Sequence, residues 1–582
     1  MAKQCHPHGR GLPPYASPPL RCGMPRDAQG RRDLRWAAIT NNDGSANTDA
    51  TLEACVAPAL PPAYNTHMRP RGWARVLVPI LLVVAATMVP YVWATYLVPK
   101  PSVFDGFLLN PLDGFSYLAK MRQGAEGSWL FRLPYAADPG PGVFLFVYYL
   151  LLGHVSRFLY ANPLAIFHGA RGVGAIVMFL AARRLLEHNV PEGRGRNWGF
   201  AMILVGSGLG WMGLPFGLLA LDLWVPEAIP ALAAYASAHF PLAVAALCLG
   251  GLVISPGYRS RWRIPLAGVS GLALALLQPF AVGVVAIFGG VWLGVEVVAG
   301  SAPGDRTDRR GSAVALLALL AAASPIIVYD AWAVLTHPAL AAWNRQNLTP
   351  SPSLIETGLA FLPLLGFAIA GLADPENKRR GSYRILIVWS AVTFILLYAP
   401  FGLQRRLALG VYVPLAVVAA IGLTGRPRLP RWLPVLALLL TIPSHVVVVA
   451  AGLSAVARQE ATLVLTADEL TAYRWMDDNL REGSLVLAGP RAGNRIPAFA
   501  DVRVVYGHPF ETPNAESEEA WVEAVYAWTG SPAGVLAALR ARGVEYVYVG
   551  KDERSMGPMG WITLLTPIHI VGEVAVYEAP PS

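Results

Sequence analysis

Long apolar runs fill the middle of this chain, and short polar segments separate them. A helix that crosses a bilayer needs roughly 20 mostly apolar residues. Runs that approach or reach this length cover residues 76–98, 164–185, 198–221, 239–254, 264–278, 281–299, 312–335, 354–373, 383–400, 407–423 and 432–455. The pattern therefore predicts an all-α polytopic membrane domain at residues 71–455, with about eleven transmembrane helices.

The polar segments between these runs alternate in charge. If the N-terminus is cytoplasmic, every second segment lies inside, and each of these is basic: RPRGWAR, RRLLEHNVPEGRGR, SPGYRSRWR, GDRTDRR, ENKRRGSYR and TGRPRLPR. Basic segments favour the cytoplasmic side of a membrane. A single path of the chain through the membrane, with its N-terminus inside, therefore places all six basic segments in the cytoplasm. It predicts a multi-pass protein of the cytoplasmic (plasma) membrane, with residues 105–138, residues 222–227 and the chain after residue 455 outside.

Two interruptions of the apolar pattern need separate treatment. Counting residues 142–160 as a crossing would put the basic segments outside, so we interpret this run as a juxtamembrane or re-entrant helix on the outer face. Gln278 and Pro279 separate two short runs. They predict a tight outer turn between short helices, with a single kinked helix as the alternative.

Composition agrees with a membrane protein. Only 14% of the residues are charged, whereas about 25% is usual in soluble domains. A net charge of +9 would suit nucleic acid, but the basic residues cluster between apolar runs. We therefore expect membrane lipids, and no nucleic acid, as partners. Four cysteines without paired spacing imply no disulfide framework.

The two ends of the chain differ from its middle. Residues 1–70 lack apolar periodicity, which predicts a disordered cytoplasmic tail, or a wrongly assigned start if Met68 is the first residue. Residues 456–582 alternate between helical and strand patterns, with a helix starting at Thr466 and strands at 484–488, 502–505, 544–550 and 573–579. They predict a small extracytoplasmic α/β domain.

The first predicted outer segment carries two carboxylates, Asp105 and Asp113, close to a helix end. Acids are poorly tolerated inside a bilayer, so an acidic, aromatic-rich segment that begins at the membrane surface is a candidate functional site. The alternative is an amphipathic surface helix whose apolar face meets lipid while Lys120 and Arg122 face water.

Within this segment an acid is followed four residues later by tyrosine, in the D-G-F-S-Y sequence from Asp113 to Tyr117. Together with the threading, this motif resembles the GT-C superfamily of membrane glycosyltransferases, especially the branch with the protein mannosyltransferases and the lipid A aminoarabinose transferases. Those enzymes share an acid and juxtamembrane helices in the first outer loop, and often an outer C-terminal domain. Many have a second acid where this chain has Gly114.

The resemblance implies an inverting enzyme that transfers a hexosyl or pentosyl group from a polyprenyl-phosphate donor to a lipid, glycan or protein acceptor. This chemistry needs a carboxylate that takes the acceptor's proton and a cation that stabilises the departing phosphate. Asp113 is the predicted base, with Asp105 as the alternative. In the second outer loop, Asp222 or Glu227 could hold the acceptor or a divalent cation, or could simply solvate a helix end. No other cofactor and no dedicated metal site is predicted.

Clustered arginines at the predicted outer face go against the charge bias of membrane proteins. Gln404, Arg405 and Arg406 lie there, between two predicted helices. Because a guanidinium fork matches a pair of phosphate oxygens, we predict that these residues bind the donor phosphate. The alternative is that they reach the lipid headgroups.

Five other polar residues at this face are predicted to contact substrate. Tyr117 belongs to the motif, and His239 lies near an outer helix end. The remaining three, Asn344, Gln346 and Asn347, lie in a polar outer loop rich in proline. The alternatives are interfacial packing for His239 and an ordinary surface loop for the last three.

Two other functions remain open from the sequence. A transporter or lipid flippase should place ionisable residues at mid-membrane and show internal repeats, and neither pattern is clear. A non-catalytic scaffold that presents the C-terminal domain would not need acids and arginines at one face. The sequence therefore favours a membrane glycosyltransferase.

Overall fold

The computed structural model describes residues 70–298, 305–373, 381–426 and 429–580. The predicted N-terminal tail lies outside the described residues, as do parts of several basic segments. Most of the described chain is helical. Its α-helices are α1 (Pro70–Leu97), α2 (Pro111–Ala125), α3 (Val147–Leu159), α4 (Pro163–Asn189), α5 (Arg194–Val205), α6 (Leu221–Trp224), α7 (Pro230–Ala236), α8 (His239–Ile254), α9 (Arg263–Leu277), α10 (Pro279–Val298), α11 (Asp305–Thr336), α12 (Pro338–Gln346), α13 (Leu354–Leu372), α14 (Gly381–Leu396), α15 (Tyr412–Thr424), α16 (Trp432–Ala457), α17 (Ala467–Asn479), α18 (Pro490–Phe499), α19 (Ala515–Tyr526), α20 (Pro532–Arg542) and α21 (Lys551–Met556).

Many of these helices suit a bilayer. In the described residues, seven helical stretches are long and apolar enough to cross a membrane: Trp73–Leu97, Pro163–Asn189, Pro279–Val298, Asp308–Thr336, Leu354–Leu372, Gln404–Thr424 and Trp432–Ala457. A pair bent by 58°, Arg194–Val205 with Gly210–Phe216, makes eight if it forms one span, and α8, α9 and α14 are shorter apolar helices. The chain is therefore a polytopic membrane protein. Each of the eleven predicted runs lies on one of these stretches, and the prediction that all eleven cross the membrane stays a prediction.

The predicted turn at Gln278 is confirmed. α9 ends at Leu277 and α10 begins at Pro279, so the structure contains two helices rather than one kinked helix. Proline suits the first position of a helix because the N–H it lacks would have no partner there. Residues 142–160 contain α3, a 13-residue helix that is not among the span candidates.

Helix α15 lies at the centre of the helical bundle. Every residue from Tyr412 to Leu423 is buried. Glycines allow its neighbours to approach closely, since a Cβ atom at Gly199 of α5 would lie 2.7 Å from Cβ of Ala420. This central helix follows directly from the segment that carries the predicted phosphate-binding arginines.

Two glycines also bring α2 and α3 together. A Cβ atom at Gly124 would lie 2.0 Å from the backbone oxygen of Leu150, and one at Gly153 would lie 1.9 Å from that of Met121. Any side chain at either position would force the helices apart. The glycines therefore hold α2, which carries Asp113, firmly against α3.

The C-terminal region contains a mixed sheet. The strands are β1 (Val103–Phe104), β2 (Val464–Leu465), β3 (Ser484–Leu487), β4 (Val502–Val504), β5 (Tyr546–Val549), β6 (Thr566–Val571) and β7 (Val574–Glu578). The sheet order is β4-β3-β5-β7-β6, with β3 parallel to β4 and β5, and β7 antiparallel to β5 and β6. Strands β1 and β2 form a separate antiparallel pair, which joins the segment after α1 to the segment after α16.

Four of these strands were predicted, and they are confirmed as β3, β4, β5 and β7. The predicted helix start is also confirmed, because the Thr466 side chain caps α17 and Glu469 completes the capping box. Strand β6 was not predicted. Pro567 and a register shift between Pro567 and His569 obscure its alternation, and proline is tolerated at such an edge position.

Candidate functional site

The first turn of α2 carries the acid that the sequence predicts as the base. Asn110 precedes the helix with a left-handed backbone, φ 52°, Pro111 begins it, and Asp113 follows. The partial positive charge at a helix N-terminus stabilises an acid there. Ser116 and Lys120 follow Asp113 at helical spacing, so the three polar side chains share one face of α2.

A loop of the C-terminal region, residues 507–512, covers this polar face. Lys120 is completely buried, and its Nζ donates hydrogen bonds of 2.8 Å to both carboxylate oxygens of Glu511. The Ser116 hydroxyl donates to Oε1 of the same carboxylate at 2.6 Å. The ring of Phe146 lies 4.4 Å from the ammonium. The alternative in which Lys120 faces water is therefore wrong, because the 507–512 loop encloses it.

His508 of the same loop faces Asp113. Its Nε2 atom lies 3.3 Å from Oδ1 of Asp113, and its Nδ1 atom accepts two backbone N–H groups of its own loop. Partial loss of hydration beside the crevice would raise the pKa of Asp113, but the contact with His508 and the charges of Arg406 and Lys120 hold that pKa below its ordinary value. Asp113 is therefore ionised at neutral pH.

A small crevice lies beside Asp113. The Asp113 side chain is 44% exposed, so its carboxylate is open to a ligand in the crevice. Polar atoms of Asn110, Tyr117 and Ser237 also line it, among apolar side chains that include Phe107. A concave, mostly apolar surface with a few converging polar groups is typical of a small-molecule site.

Packing explains why glycine follows Asp113. A Cβ atom at Gly114 would lie 2.4 Å from the ring of Phe107. No side chain fits in that space without moving the ring or the helix. The second acid of many GT-C enzymes therefore has no room at this position.

The predicted phosphate-binding arginines lie on a 3₁₀ helix at Gln404–Ala408, directly before α15. The positive charge of Arg406 is close enough to influence Asp113, Tyr117 and Glu227. Its Nε atom is buried without a hydrogen-bond partner among the described residues. Arg406 thus brings an incompletely satisfied cation to the acid of the crevice.

The neighbouring residues of the 3₁₀ helix have different surroundings. The Arg405 guanidinium lies 4.5 Å from the ring centre of Trp224, and its Nε atom also lacks a hydrogen-bond partner in the described part of the chain. The Gln404 amide already has hydrogen-bond partners within the protein, since it accepts from the backbone N–H of Ser351 and donates to the backbone carbonyl of Ala399. Arg405 remains available to a ligand, whereas Gln404 holds the local chain.

The two acids of the second predicted outer loop lie in different places. Glu227 is buried, and burial raises its pKa although the charge of Arg405 opposes the rise. The charge of Asp113 also raises it, so the two acids are neighbours. Asp222 is fully buried, and its Oδ2 accepts the N–H groups of Gly208 at 3.0 Å and Gly210 at 3.2 Å. The structure therefore brings Glu227 near Asp113, while Asp222 closes a turn.

Asp105, the alternative base, does not line the crevice. Its side chain is buried, with Oδ1 accepting the N–H of Phe107 at 3.0 Å and Oδ2 lying 3.5 Å from Nη2 of Arg495 on α18. Burial raises the pKa of Asp105 to about 7, although Arg495 opposes the rise. This acid links the segment before α2 to the C-terminal region.

Tyr117 and His239 lie together beside Asp113. The Tyr117 ring stacks on that of Tyr149, with ring centres 4.3 Å apart. Nδ1 of His239 lies 2.6 Å from the Tyr149 hydroxyl and 2.8 Å from the Ser237 hydroxyl. Burial raises the pKa of Tyr117 well above its ordinary value, so its phenol stays neutral. Tyr117 lines the crevice, whereas His239 lies behind it, with its ring centre 5.5 Å from that of Tyr117.

The predicted loop begins later than expected, because Asn344 and Gln346 lie on the last turn of α12 and Asn347 follows that helix. None of the three residues lines the crevice. Gln346 joins α12 to the C-terminal region, because its side chain donates to the backbone of Thr512 and accepts from that of Ala515. Asn347 is buried and Asn344 is exposed. Their contact with a saccharide stays a prediction.

Sequence reasoning missed the contribution of the 507–512 loop. His508 and Glu511 are almost 400 residues from α2, as the sequence separation of 395 between Ser116 and Glu511 shows. One signal was present in the sequence. Asp113, Ser116 and Lys120 recur on one face of a helix, which indicates a polar partner for that face.

Few side chains at the site could bind a metal ion. Across the described ranges, no group of three or more His, Cys, Asp and Glu side chains is arranged to hold a metal ion. Carboxylate oxygens are the donors that Mg²⁺ and Ca²⁺ prefer. A divalent cation at Asp222 or Glu227 stays a prediction.

Comparison with known proteins adds information at the level of the fold. No protein-family model matches the sequence, and no curated protein matches it significantly. The apo structure of ArnT from Cupriavidus metallidurans matches with a TM-score of 0.50 at 11% identity, covering 87% of this chain and 98% of that one. The structure of the same protein bound to undecaprenyl phosphate matches with a TM-score of 0.48 at 11% identity, covering 88% of this chain and 99% of that one. The apo structure of the oligosaccharyltransferase from Archaeoglobus fulgidus matches with a TM-score of 0.49 at 15% identity, covering 82% of this chain and 70% of that one.

These neighbours are GT-C glycosyltransferases. We base the comparison on apo ArnT, whose match spans nearly all of both chains. At 11% identity this likeness concerns the fold and not the substrates. The fold agrees with the resemblance carried by the D-G-F-S-Y motif, and the chain has the fold of the GT-C superfamily of membrane glycosyltransferases.

Proposed function

We propose that this chain is a membrane glycosyltransferase that transfers a sugar from a polyprenyl-phosphate donor to an acceptor hydroxyl at the outer membrane face. The observation that carries the proposal is that an ionised carboxylate, Asp113, lines the crevice and that the positive charge of Arg406 lies close enough to lower the pKa of this acid. Sugar transfer from a phosphate needs both kinds of group. The binding of undecaprenyl phosphate by ArnT, whose fold this chain shares, supports a lipid-linked donor.

Asp113 acts as the base in this proposal. The acceptor oxygen attacks the anomeric carbon, the bond between that carbon and the phosphate oxygen breaks, and the polyprenyl phosphate leaves. The acceptor's proton passes to the free carboxylate oxygen of Asp113. Attack opposite to the leaving phosphate inverts the anomeric centre. Because Asp113 is ionised at neutral pH, it is ready to accept the proton.

Arg406 and Arg405 hold the donor phosphate in this proposal. Each has a buried Nε atom without a hydrogen-bond partner among the described residues, and a guanidinium pairs well with phosphate oxygens. Trp224 supports the plane of the Arg405 guanidinium. The charges of both arginines oppose the rise that burial causes in the pKa of Glu227, so this acid lies within their electrostatic reach.

A transfer assay tests this function. Purified protein in lipid nanodiscs is mixed with polyprenyl-phosphate hexoses and pentoses that carry a labelled sugar, together with lipid, glycan and peptide acceptors. We expect the label to move to one acceptor class and lipid phosphate to be released. Asp138→Asn, a change of an acid in the same predicted outer segment but outside the crevice lining, serves as the matched control. Labelled lipid that changes leaflet without a new glycosidic bond would support a flippase instead.

Labelling of single cysteines tests the proposed sidedness. Glu192 and Ser555 are both exposed, so each is replaced by cysteine in a variant that lacks the natural cysteines. In intact cells, a reagent that cannot cross the membrane should modify Ser555→Cys and spare Glu192→Cys. The opposite result would reverse the threading and place the crevice on the cytoplasmic side.

A further inference from the structure

The 507–512 loop is held in a closed shape by its own hydrogen bonds. The Thr512 hydroxyl accepts the N–H of Gly507 at 3.3 Å and that of His508 at 3.2 Å. The Thr512 N–H donates in turn to the His508 carbonyl at 2.9 Å. Glu511 fixes the loop to α2 through Lys120. The hydrogen bonds of Thr512 close the loop, and the contact between Glu511 and Lys120 fixes it to α2. Together they hold His508 in one position.

Hydrogen bonds also fix the tautomer of His508. Nδ1 accepts the N–H of Phe510 at 3.1 Å and that of Glu511 at 3.2 Å. A nitrogen that accepts two hydrogen bonds carries no proton, so the neutral ring has its N–H at Nε2. The side chain is only 3% exposed, and Nε2 lies 3.3 Å from Oδ1 of Asp113. Nε2 is buried and forms no other hydrogen bond in the described part of the chain, so its N–H is available to the Asp113 carboxylate.

We propose that His508 is a positioning residue for Asp113, and that the C-terminal region thereby completes the site. Its Nε2–H holds Oδ1 of the carboxylate, so the other oxygen is directed to the acceptor hydroxyl in the crevice. This inference rests on the proposed function and adds to it a specific partner for the base. Glu511 and Lys120 support the same arrangement because they seat the loop that carries His508.

Several other charged or titratable groups also act on Asp113, and the experiment must allow for them. Lys120 and Tyr117 lie on α2 itself, and Arg406 lies on the 3₁₀ helix before α15. The remaining groups are Arg405 on the same 3₁₀ helix, Glu227 before α7, His239 at the start of α8, Tyr149 on α3 and Tyr135 between α2 and α3. Substitutions at His508 leave all of these in place, so a change in the titration of Asp113 reports the lost contact.

Three substitutions at His508 distinguish the contribution of its Nε2–H from that of its ring. His508→Phe keeps a ring but removes the donor, His508→Gln keeps an N–H that reaches Asp113, and His508→Asn keeps an amide that is too short. A hydrogen bond to a charged group contributes about 1.5–3 kcal/mol, so kcat should fall about 10- to 100-fold in His508→Phe and His508→Asn. His508→Gln should retain most of kcat. KM should change little, because the acceptor and donor contacts remain.

The pH profile gives a readout that a merely structural role would not change. Removing a donor from a carboxylate raises its pKa, so the acid limb of kcat/KM should move to higher pH in His508→Phe and His508→Asn, and return in His508→Gln. His569→Phe, the same change on strand β6 of the C-terminal region, is the matched control and should behave like the parent. Thermal unfolding verifies that each variant is folded.

Infrared titration of the Asp113 carboxylate separates this inference from the proposed function. Its band is assigned by its absence in Asp113→Asn, and it should titrate at higher pH in His508→Phe than in the parent, whether or not the protein transfers sugar. If the parent transfers sugar but neither the rate nor the titration responds to His508→Phe and His508→Asn, the positioning role is wrong and the function stands. If the parent transfers nothing and the band still shifts, the contact stands and the function is wrong.

Discussion

Asp105 and Asp113 lie eight residues apart on one segment, and each faces a side chain from the C-terminal region. Asp105 is enclosed, with Arg495 at 3.5 Å. Asp113 meets His508 at 3.3 Å and remains 44% exposed to the crevice. Burial raises the pKa of Asp105 to about 7, whereas His508, Arg406 and Lys120 lower that of Asp113.

The two aspartates show that the same residue type has a structural role at one position and a chemical role at another. A closed acid that is paired with arginine holds two parts of the chain together. An open acid, held through one oxygen by the Nε2–H of a histidine, can accept a proton from a ligand. Both contacts come from the C-terminal region, so its docking decides the state of both acids.

The largest effect should come from breaking that docking at Lys120. Lys120→Met leaves the buried Glu511 carboxylate without its cation, and loss of one partner of a buried ion pair costs about 3–5 kcal/mol. Thermal unfolding in detergent should show a clear decrease in midpoint. Replacing Glu511 with leucine in the same protein should restore part of the loss. Lys551→Met, at an exposed lysine, is the control, and a Lys120→Met protein as stable as that control would contradict the account.

Arg406 tests the cation opposite the open acid. Arg406→Ala should cost about 2–4 kcal/mol in transition-state stabilisation, as expected for loss of a preorganised donor. Arg406→Lys should fall between, because an ammonium keeps the charge but loses the two-point fork. The same pair of substitutions at Arg405 and an alanine at the exposed Arg345 complete the series. If the alanine and lysine variants of both predicted arginines turn over like the parent, these residues only anchor the protein at the headgroups.

Gly114 tests the packing that fixes Asp113. Gly114→Ala introduces a Cβ atom 2.4 Å from the Phe107 ring, and such overpacking costs about 1–3 kcal/mol. Gly169 of α4 is the matched helical control, since a Cβ atom there meets nothing within 4 Å. Thermal unfolding should show a loss only in Gly114→Ala. Equal stability of the two variants would mean that α2 and Phe107 adjust freely.

Asp105 should show the smallest effect on rate and a distinct effect of pH. Its pKa is about 7 in the folded protein and about 3.9 when unfolded. The folded state binds its proton more tightly, so the resulting stability is fully present below about pH 3.9 and is lost as pH rises through 7. Asp105→Asn stays neutral, and its midpoint of unfolding should change less between pH 4 and 7 than that of the parent. Parallel pH profiles for the two proteins would contradict a raised pKa.

Much of the fold could be predicted from the sequence because membrane helices are specified locally. An apolar run of sufficient length predicts a helix wherever it lies, and all eleven predicted runs fall on helices or helical pairs. The strands β3, β4, β5 and β7 showed their pattern in the same way. Strand β6 did not, because Pro567 and the register shift break its alternation.

The candidate site was only half predictable, because its two halves are joined by tertiary contacts. The motif at Asp113 and the misplaced charge of Arg406 are visible in short stretches of sequence. Their partner His508 is not, since nothing near it in the sequence indicates docking on α2. The D-G-F-S-Y motif favours Asp113 over Asp105, but the burial of Asp105 depends on the C-terminal region and leaves no local pattern.

The most direct test compares Asp113→Asn with Asp105→Asn in the transfer assay, with equal amounts of folded protein. Both changes preserve shape and remove a negative charge. Asp113→Asn should reduce turnover by roughly 100-fold or more, because an amide cannot take the acceptor's proton. Asp105→Asn should turn over at nearly the parent's rate at neutral pH. Near-normal transfer by Asp113→Asn, or an equal loss in both variants, would contradict the assignment of the chemistry to the open acid.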